Sequence, residues 1–338
     1  MIGAVFAVLS AASFGLVGPF TRRGLMTASA SQAVYVTVIM GVPLLLVASI
    51  LTRQIFEASS ISSQNYLILA CAGIVHYIGG RYCAARSFSA LGVNRATPLQ
   101  ALATIISVLV AISFLDEEFT LTLGLGITLI MLGPAILIEL KGNLDLNLRN
   151  IVKNILRQVS GLLGNSNTYS IKSLDYESID DANVQGPPPI RLAEGYLFGI
   201  LASLAWGISP IMVRFVLIDT SAGVLACAVS YTGAAGVLVL SLILPGRLAN
   251  LQKLNRSAVK WFLLSGTSVC TAHLLWFIAL GIIPVTIAAP LQYTSPIFTY
   301  VISFLLNRNI ENFGPRIVLA ISLSVIGSMI LGMTHISS

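Results

Sequence analysis

The sequence contains little charge. Asp, Glu, Lys and Arg together make up 9% of the 338 residues, whereas 56% of the residues are apolar. A soluble globular protein carries about 25% charged residues, so this chain has too few charges to cover a water-facing surface of its size. The shortage excludes a soluble enzyme, a nucleic-acid-binding module and a disordered protein. It predicts a protein whose main solvent is lipid.

Cysteines and catalytic motifs are also scarce. The four cysteines, Cys71, Cys83, Cys227 and Cys270, all fall in apolar stretches, and their spacing fits neither a zinc site nor a disulfide framework. The sequence has no His/Glu spacing typical of a metal site, no phosphate-binding glycine loop followed by Lys, and no nucleophile beside a base. We therefore expect no cofactor, no bound metal and no enzymatic activity.

Long uncharged segments dominate what is present. About 20 apolar residues suffice for a helix that spans a bilayer, and continuous apolar runs favour helices over the alternating strands of a membrane barrel. The runs cover approximately residues 2–20, 31–51, 66–92, 96–115, 119–138, 196–213, 222–244, 258–280, 285–306 and 316–334. They predict an all-α membrane protein with ten transmembrane helices in two groups of five.

The two groups of helices are similar in sequence. A shift of 192 residues superposes five separate positions, namely Leu9 on Leu201, Gly15 on Gly207, Arg22 on Arg214, Gly41 on Gly233, and Pro98-Leu99-Gln100 on Pro290-Leu291-Gln292. Collinear matches of this kind indicate an internal duplication. Because five is an odd number, the second group must enter the membrane from the opposite side. The sequence therefore predicts an inverted repeat, which is typical of secondary transporters.

Short motifs in the two halves match those of a known family. Ser-Phe-Gly-Leu-Val-Gly-Pro-Phe at 13–20 is mirrored by Ala-Trp-Gly-Ile-Ser-Pro at 205–210, and Leu-Asp-Glu-Glu-Phe-Thr at 115–120 precedes a glycine-rich helix. In these motifs the chain resembles the ten-helix EamA-type members of the drug/metabolite transporter superfamily. The resemblance implies two EamA-like five-helix repeats, at 1–139 and 195–338, in a multi-pass protein of the cytoplasmic (inner or plasma) membrane.

The chain departs from this family pattern in two places. Residues 140–194 form a loop far longer than the usual connection between the repeats. Within it, 148–159 predicts either a basic amphipathic helix on an anionic membrane surface or an ordinary solvated helix, and 161–190 predicts a disordered linker outside the transport core. The second departure is an acidic position after the fourth helix, because Glu117 has Arg308 as its counterpart in the second half.

Cationic side chains inside the predicted helices are the first candidates for a substrate site. Arg81 falls near the centre of the third helix, where a charge costs at least about 2.5–3.5 kcal/mol and is expected to face a wet cavity or a partner. Arg86, nearer the helix end, either faces the same cavity or extends to the membrane interface. The neighbouring candidates are His76 and Tyr77 in this helix and His273 and Trp276 in the equivalent eighth helix. The two histidines are alternatively packing residues.

The repeated Pro-Leu-Gln marks a second group of candidates. Pro98 and Pro290 each free a backbone carbonyl one turn earlier and loosen their helices. Loosened helices near the midplane are where transporters expose groups to substrates. The side chains expected beside these breaks, or walling the cavity, are Gln100, Gln292, Tyr293 and Trp206. Alternatively, the polar ones form hydrogen bonds that only hold the helices together.

The distribution of charge indicates the kind of cargo. No Asp or Glu falls in the middle of a predicted span, whereas exporters of organic cations need an intramembrane carboxylate. Together with Arg81, this shortage predicts secondary transport of a small polar metabolite that is anionic or amino-acid-like. Membrane lipid and a second copy of the chain in a homodimer are the other partners considered, and nucleic acid is not one. The alternative is a non-transporting membrane scaffold whose loop recruits a partner or senses lipid.

The Lys and Arg residues predict the orientation of the chain. Apart from Arg81 and Arg86, 15 of them lie in the loops after helices one, three, five, seven and nine, and only Arg53 and Arg214 lie on the other side. Because basic loops stay in the cytosol, we expect both termini outside, although the proteins that this chain resembles usually keep them in the cytosol. A cysteine added after Ser338, in a background without the native cysteines, should react with an impermeant maleimide in intact cells. Reaction only after lysis would reverse the assignment.

Overall fold

A computed structural model describes most of the chain. The described residues are 2–103, 105–106, 121–137, 190–217, 222–282, 291–292 and 294–334. Within these ranges all regular secondary structure is helical. Each of the ten apolar runs contains at least part of a described helix, as the hydropathy pattern predicts. The predicted amphipathic helix at 148–159, the linker before residue 190 and Glu117 lie outside the described residues.

The first half contains five labelled helices. Their bounds are α1 Ile2–Gly24, α2 Ala30–Leu51, α3 Ser63–Leu91, α4 Val93–Gln100 and α5 Leu121–Leu137. A short 3-10 helix, Gln54–Ser60, connects α2 to α3. The start of α2 follows from local chemistry, because Ser29 and Gln32 form a reciprocal capping box that satisfies two free backbone amides.

The second half repeats this order. Its helices are α6 Leu192–Leu217, α7 Gly223–Ser241, α8 Arg256–Ile282, α9 Ser295–Leu306 and α10 Pro315–Thr334. A short helix, Arg247–Gln252, connects α7 to α8 at the place where Gln54–Ser60 connects α2 to α3. By length and composition, five helices in the described ranges can cross a membrane, namely α1, α2, α3, residues 192–213 of α6, and α7.

The second, fourth and fifth helices of each half pack against their counterparts in the other half, and the first helix of each half packs against the third helix of the other. The pairs are α1 with α8, α6 with α3, α2 with α7, α4 with α9, and α5 with α10. The α5–α10 pair needs two equivalent glycines. A Cβ on Gly133 would lie 2.2 Å from Ser324 Oγ, and one on Gly327 would lie 2.7 Å from the Gly126 carbonyl oxygen. Only residues without a side chain allow the two backbones to approach this closely.

Two hydrogen-bonded contacts show that the halves are inverted. Gln54 Oε1, in the connection after α2, accepts a hydrogen bond of 2.8 Å from the Val224 amide at the start of α7. Gln32 Nε2, at the start of α2, donates one of 2.7 Å to the Asn250 carbonyl in the connection after α7. The two equivalent connections therefore lie at opposite ends of α2, which requires the second half to run in the opposite direction.

A buried ion pair joins the halves at the end of the bundle where α1 and α3 finish, which we call the basic end. Arg22 and Glu311 are only 4% and 5% exposed, and Arg22 Nε lies 3.0 Å from Glu311 Oε1. Arg22 Nη1 also donates to the carbonyls of Phe88 and Ser89, each at 2.9 Å. Glu311 accepts a 2.9 Å hydrogen bond from the Val93 amide at the start of α4. The charges therefore bind backbone groups at the end of α3 and at the start of α4 as well as each other.

Further polar contacts at the basic end also connect the halves. Asn307 Oδ1 accepts from Arg23 Nε at 2.9 Å, and Asn307 Nδ2 donates to the Pro19 carbonyl at 3.0 Å. Asn94 Nδ2 donates to the Asn312 carbonyl at 3.1 Å. We refer to Arg22, Arg23, Asn94, Asn307 and Glu311 as the basic-end cluster. Its members come from both repeats, so the cluster holds α1, α4 and the α9–α10 connection together.

The structure adds a residue to the comparison of the two connections. Arg308, the predicted counterpart of Glu117, is exposed and lies over the ring of Phe304 at 5.4 Å. Glu311, three residues further on, is the buried carboxylate of this irregular connection. Because Glu117 lies outside the described residues, its equivalence to Arg308 stays a prediction.

Replacing one member of the buried pair should destabilise the protein strongly. Glu311→Gln removes the negative charge and leaves the Arg22 guanidinium buried without a counter-ion, which costs about 3–5 kcal/mol. We expect a clearly lower thermal-unfolding temperature of the purified protein in detergent. Arg308→Gln, an exposed change in the same connection, is the matched control and should alter stability by less than about 0.5 kcal/mol. Equal stability of the two variants would contradict the role given to Glu311.

Candidate functional site

A cavity of about 320 Å³ lies between the two halves. It is lined by residues of α1, α3, α4, α6, α8, α9 and α10, so both repeats contribute to it. Phe88, Thr97 and Thr299 form its wall towards the basic end, where Phe88 accepts a hydrogen bond from Arg22. The basic-end cluster therefore lies directly behind this wall. Such a position between repeats is where transporters of inverted topology bind their substrates.

Arg81 is the cationic residue in the described lining of this cavity. Its guanidinium carbon lies 5.0 Å from the ring centroid of Tyr77 and 5.1 Å from that of Tyr231. Nη2 donates a hydrogen bond to the Tyr231 hydroxyl. Nη1 is buried and has no hydrogen-bond partner among the described residues. The two tyrosines thus fix the guanidinium while one of its donor groups stays available.

A π-helical segment positions Arg81. Residues Ile74–Gly80 form this wider turn within α3 and end immediately before Arg81. Gly80 is needed here because a Cβ would lie 2.3 Å from Nε1 of Trp206. That indole nitrogen donates to the His76 carbonyl at 3.2 Å. Single π-helical turns are frequent at functional sites, but apolar periodicity does not reveal them, and the sequence pattern did not predict this one.

The two candidate histidines meet across the interface between the halves. The ring centroids of His76 in α3 and His273 in α8 lie 5.8 Å apart. His76 Nδ1 lies 2.7 Å from Ser209 Oγ of α6. His273 Nδ1 lies 2.8 Å from the Val269 carbonyl oxygen, and its ring contacts Phe14 edge-on at 5.1 Å. The structure therefore brings together His76, His273 and Arg81 on one cavity wall.

The glutamines of the repeated Pro-Leu-Gln both line the cavity. Gln100 Nε2 and Gln292 Oε1 are buried and have no hydrogen-bond partner among the described residues. The α-helix α4 ends at Gln100, two residues after Pro98, and the Leu99 carbonyl then accepts from Ser203 Oγ at 2.7 Å. Of the remaining predictions in this group, Pro290 and Tyr293 lie outside the described residues. Gln100 thus offers the cavity a neutral donor, and Gln292 offers it a neutral acceptor.

Three predicted site residues do not line the cavity. Arg86 points to the outer side of α3, where Nε and Nη2 contact Glu194 Oε1 at 2.9 and 2.5 Å. This ion pair with the start of α6 holds Arg86 away from the cavity. Tyr77 lies behind the lining and acts through its stacking on Arg81, while Trp276 is half-buried elsewhere on α8. Trp206 does line the cavity, as predicted.

Acidic residues are absent from the described lining of the cavity. In the described ranges no group of three His, Cys, Asp or Glu side chains is arranged to hold a metal ion. A cavity of this composition presents one fixed positive charge, two imidazoles, neutral polar groups and aromatic rings. Chemically, it can bind and orient a small polar molecule, and its two-half construction can carry that molecule between the ends of the bundle.

An apolar helical bundle made of two inverted repeats around a cavity that contains a few polar groups is the architecture of a membrane transporter. A family model, the EamA-like transporter family, matches residues 1–138 and 193–333. The chain belongs to this family and is a multi-pass membrane protein of the drug/metabolite transporter type. The two matched segments coincide with the two repeats, and the long loop between them is outside both.

Other comparisons add little. No curated protein matches the chain. A solved structure titled "Crystal structure of protein" is similar over 98% of this chain and 95% of its own, with 14% identity and a TM-score of 0.46. At this level of similarity it carries no conclusion about the function of the chain.

Proposed function

We propose that this protein is a secondary transporter that moves a small anionic metabolite across the cytoplasmic membrane by alternating access. The single observation that carries the proposal is the Nη1 of Arg81, a residue of the cavity lining: this atom is buried and has no hydrogen-bond partner among the described residues. A buried donor on a charged group is costly to leave unpaired. A carboxylate or phosphate oxygen of the substrate would satisfy it with a charge-assisted hydrogen bond.

The surroundings of Arg81 favour an anion over a cation. The described lining contains no carboxylate, so a cationic substrate would meet the guanidinium without a compensating negative charge. The aromatic rings of Tyr77 and Tyr231, whose centroids are 3.8 Å apart, restrict hydration on one side of the guanidinium. In a poorly solvated site the attraction between opposite charges is stronger than in water. An anionic group is therefore the natural ligand for this position.

The neutral groups point to a second polar feature on the substrate. Gln100 Nε2 can donate a hydrogen bond and Gln292 Oε1 can accept one. A cavity of about 320 Å³ lies at the lower end of the range for small-molecule sites. We infer a metabolite that carries one carboxylate or phosphate and at least one further hydrogen-bonding group, as organic acids and amino acids do.

The arrangement of the halves supports alternating access. Equivalent connections lie at opposite ends of the bundle, so exchanging the conformations of the two repeats would move an opening from one side to the other. The basic-end cluster closes the bundle behind Phe88 in the described state. Opening towards that side requires the contacts of Glu311 with Arg22 and with α4 to separate. A scaffold that does not transport has no need of two inverted halves that enclose a cavity.

Replacing Arg81 should impair substrate binding more than folding. Arg81→Lys keeps the charge but loses the planar fork, and Arg81→Gln loses the charge as well. One charge-assisted hydrogen bond contributes about 1.5–3 kcal/mol, so Arg81→Gln should weaken the apparent affinity about ten- to a hundredfold, and Arg81→Lys less. The measurement is uptake into proteoliposomes from a panel of carboxylates and phosphates, each paired with its neutral amide or alcohol.

The control for this series is Arg308→Gln, an exposed arginine away from the cavity, which should transport like the unmodified protein. Thermal stability of each variant is measured in parallel. Full transport of the anions by a stable Arg81→Gln protein would end the proposal. Lower stability with unchanged affinity in the folded fraction would assign Arg81 a structural role only.

A further inference from the structure

The two halves contribute different basic groups to the same cavity wall. Arg81 of α3, in the first half, carries a permanent positive charge, whereas His273 of α8, in the second half, is a group whose charge depends on a proton. His76, beside Arg81, is the second imidazole of the same wall.

The rings and the guanidinium form one continuous cluster. Tyr77 lies between Arg81 and the histidines, with its ring centroid 4.7 Å from His76 and 5.9 Å from His273. Tyr231 lies 6.2 Å from His273 and also contacts the guanidinium. A single tyrosine ring therefore separates a charge on either imidazole from the charge on Arg81, and the cavity around these groups is largely apolar.

The hydrogen bonds of His273 identify the atom that can take a proton. A backbone carbonyl can only accept, so Nδ1 of His273 carries hydrogen and donates it to the Val269 carbonyl oxygen. In the neutral ring, Nε2 then holds the free lone pair and is the nitrogen that protonates. His76 Nδ1 pairs with a hydroxyl, which can donate or accept, so either nitrogen of His76 can carry the hydrogen.

Few other ionisable groups face this pair. The helices packed around it contribute Arg81 and Tyr77 from α3, Cys227 and Tyr231 from α7, and Cys270 from α8. The contacts from α1 and α6 are Phe14, Trp206 and Ser209, which are not acidic or basic. In the described surroundings, therefore, the only fixed charge near the imidazoles is that of Arg81.

We propose that His76 and His273 form the coupling-proton site of this transporter, so that one proton is carried with each anionic substrate. The proposal rests on the proposed function, since it needs an anion at Arg81. Without the anion, an imidazolium would add a second positive charge beside the guanidinium in a poorly solvated cavity. With the anion bound, the charge on Arg81 is balanced and protonation of one imidazole is favoured. Linkage is reciprocal, so the proton equally favours the anion.

The stoichiometry follows from the distance between the rings. Two imidazolium rings 5.8 Å apart would repel each other, so the pair takes one proton rather than two. The proton comes from solvent on the side where the anion enters, resides on an imidazole nitrogen during the conformational change, and leaves to solvent on the other side with the anion. No bond other than N–H forms or breaks, and the empty carrier returns with neutral histidines.

A charge series at position 81 tests this coupling without a known substrate. The chain has three histidines, and the third is His335, so imidazole nitrogen signals of the 15N-histidine-labelled full-length protein can be assigned with His76→Gln and His273→Gln. Changing Arg81 to Gln and then to Glu takes the local charge from positive through neutral to negative. We expect the titration midpoint of the cavity imidazoles to rise by about one to three pH units at each step.

The controls separate local from general effects. Lys260→Gln and Lys260→Glu make charge changes of one and two units at the exposed start of α8, and should leave His76 and His273 unchanged. In the unmodified protein, sodium formate supplies a small carboxylate and formamide supplies a similar shape without charge. Formate, and not formamide, should raise the protonated fraction of the cavity imidazoles. If the Arg81 variants do not fold, the comparison of formate with formamide tests the coupling-proton site by itself.

The outcomes distinguish the two proposals. Imidazole protonation that stays unchanged both with formate and across the folded members of the series would overturn the coupling-proton site, whatever the substrate is. A response to charge at position 81, without binding of any anion from the metabolite panel, would retain the electrostatic link and contradict the proposed function instead. In proteoliposomes, a bound anion transported equally well by His76→Gln/His273→Gln and by the unmodified protein under a proton gradient would also overturn the coupling.

Discussion

The contact between two oppositely directed copies of one five-helix unit is the constraint on which the rest of the structure depends. Each unit buries its inner face only against the other, so α1 packs on α8 and α6 on α3, and the space left between them becomes the cavity. Buried polar contacts between the copies lie at the basic end, where Arg22 and Glu311 bind each other and backbone groups at the end of α3 and the start of α4. Charges that would be costly alone in a lipid-embedded bundle are tolerated because they satisfy one another.

The same constraint explains the asymmetry of the cavity. An exact duplicate would place identical groups on both walls, but in the described lining α3 contributes Arg81 and α8 contributes no arginine, and α3 contains a π-helical segment where α8 is a regular α-helix. Two inverted halves must adopt different conformations at any moment if the cavity is to open on one side only. The difference between α3 and α8 is a local instance of such a difference, and it lies directly beside the residues proposed to hold the substrate and the proton.

Sequence reasoning was strongest where a pattern repeats over many residues. The lack of charge, the apolar runs and the duplicated Pro-Leu-Gln were enough for an all-helical membrane protein with two repeats. It also singled out Arg81, His76, His273, Gln100, Gln292 and Trp206, all of which the structure places on one cavity. It was weaker for Arg86, whose partner Glu194 is more than a hundred residues away, and it did not single out Glu311, the buried carboxylate of an irregular connection.

What the sequence determined by itself is the solvent of the protein and the order of its helices, since both follow from the average chemistry of long segments. Whether a given polar residue binds substrate or only holds helices together was decided by the tertiary structure. The reason is physical: a guanidinium in a helix satisfies its five donor hydrogens with whatever lies within about 3 Å. For Arg86 that is a carboxylate from the other half, whereas for Arg81 it is a tyrosine hydroxyl on one nitrogen, and the other nitrogen is buried without a partner among the described residues.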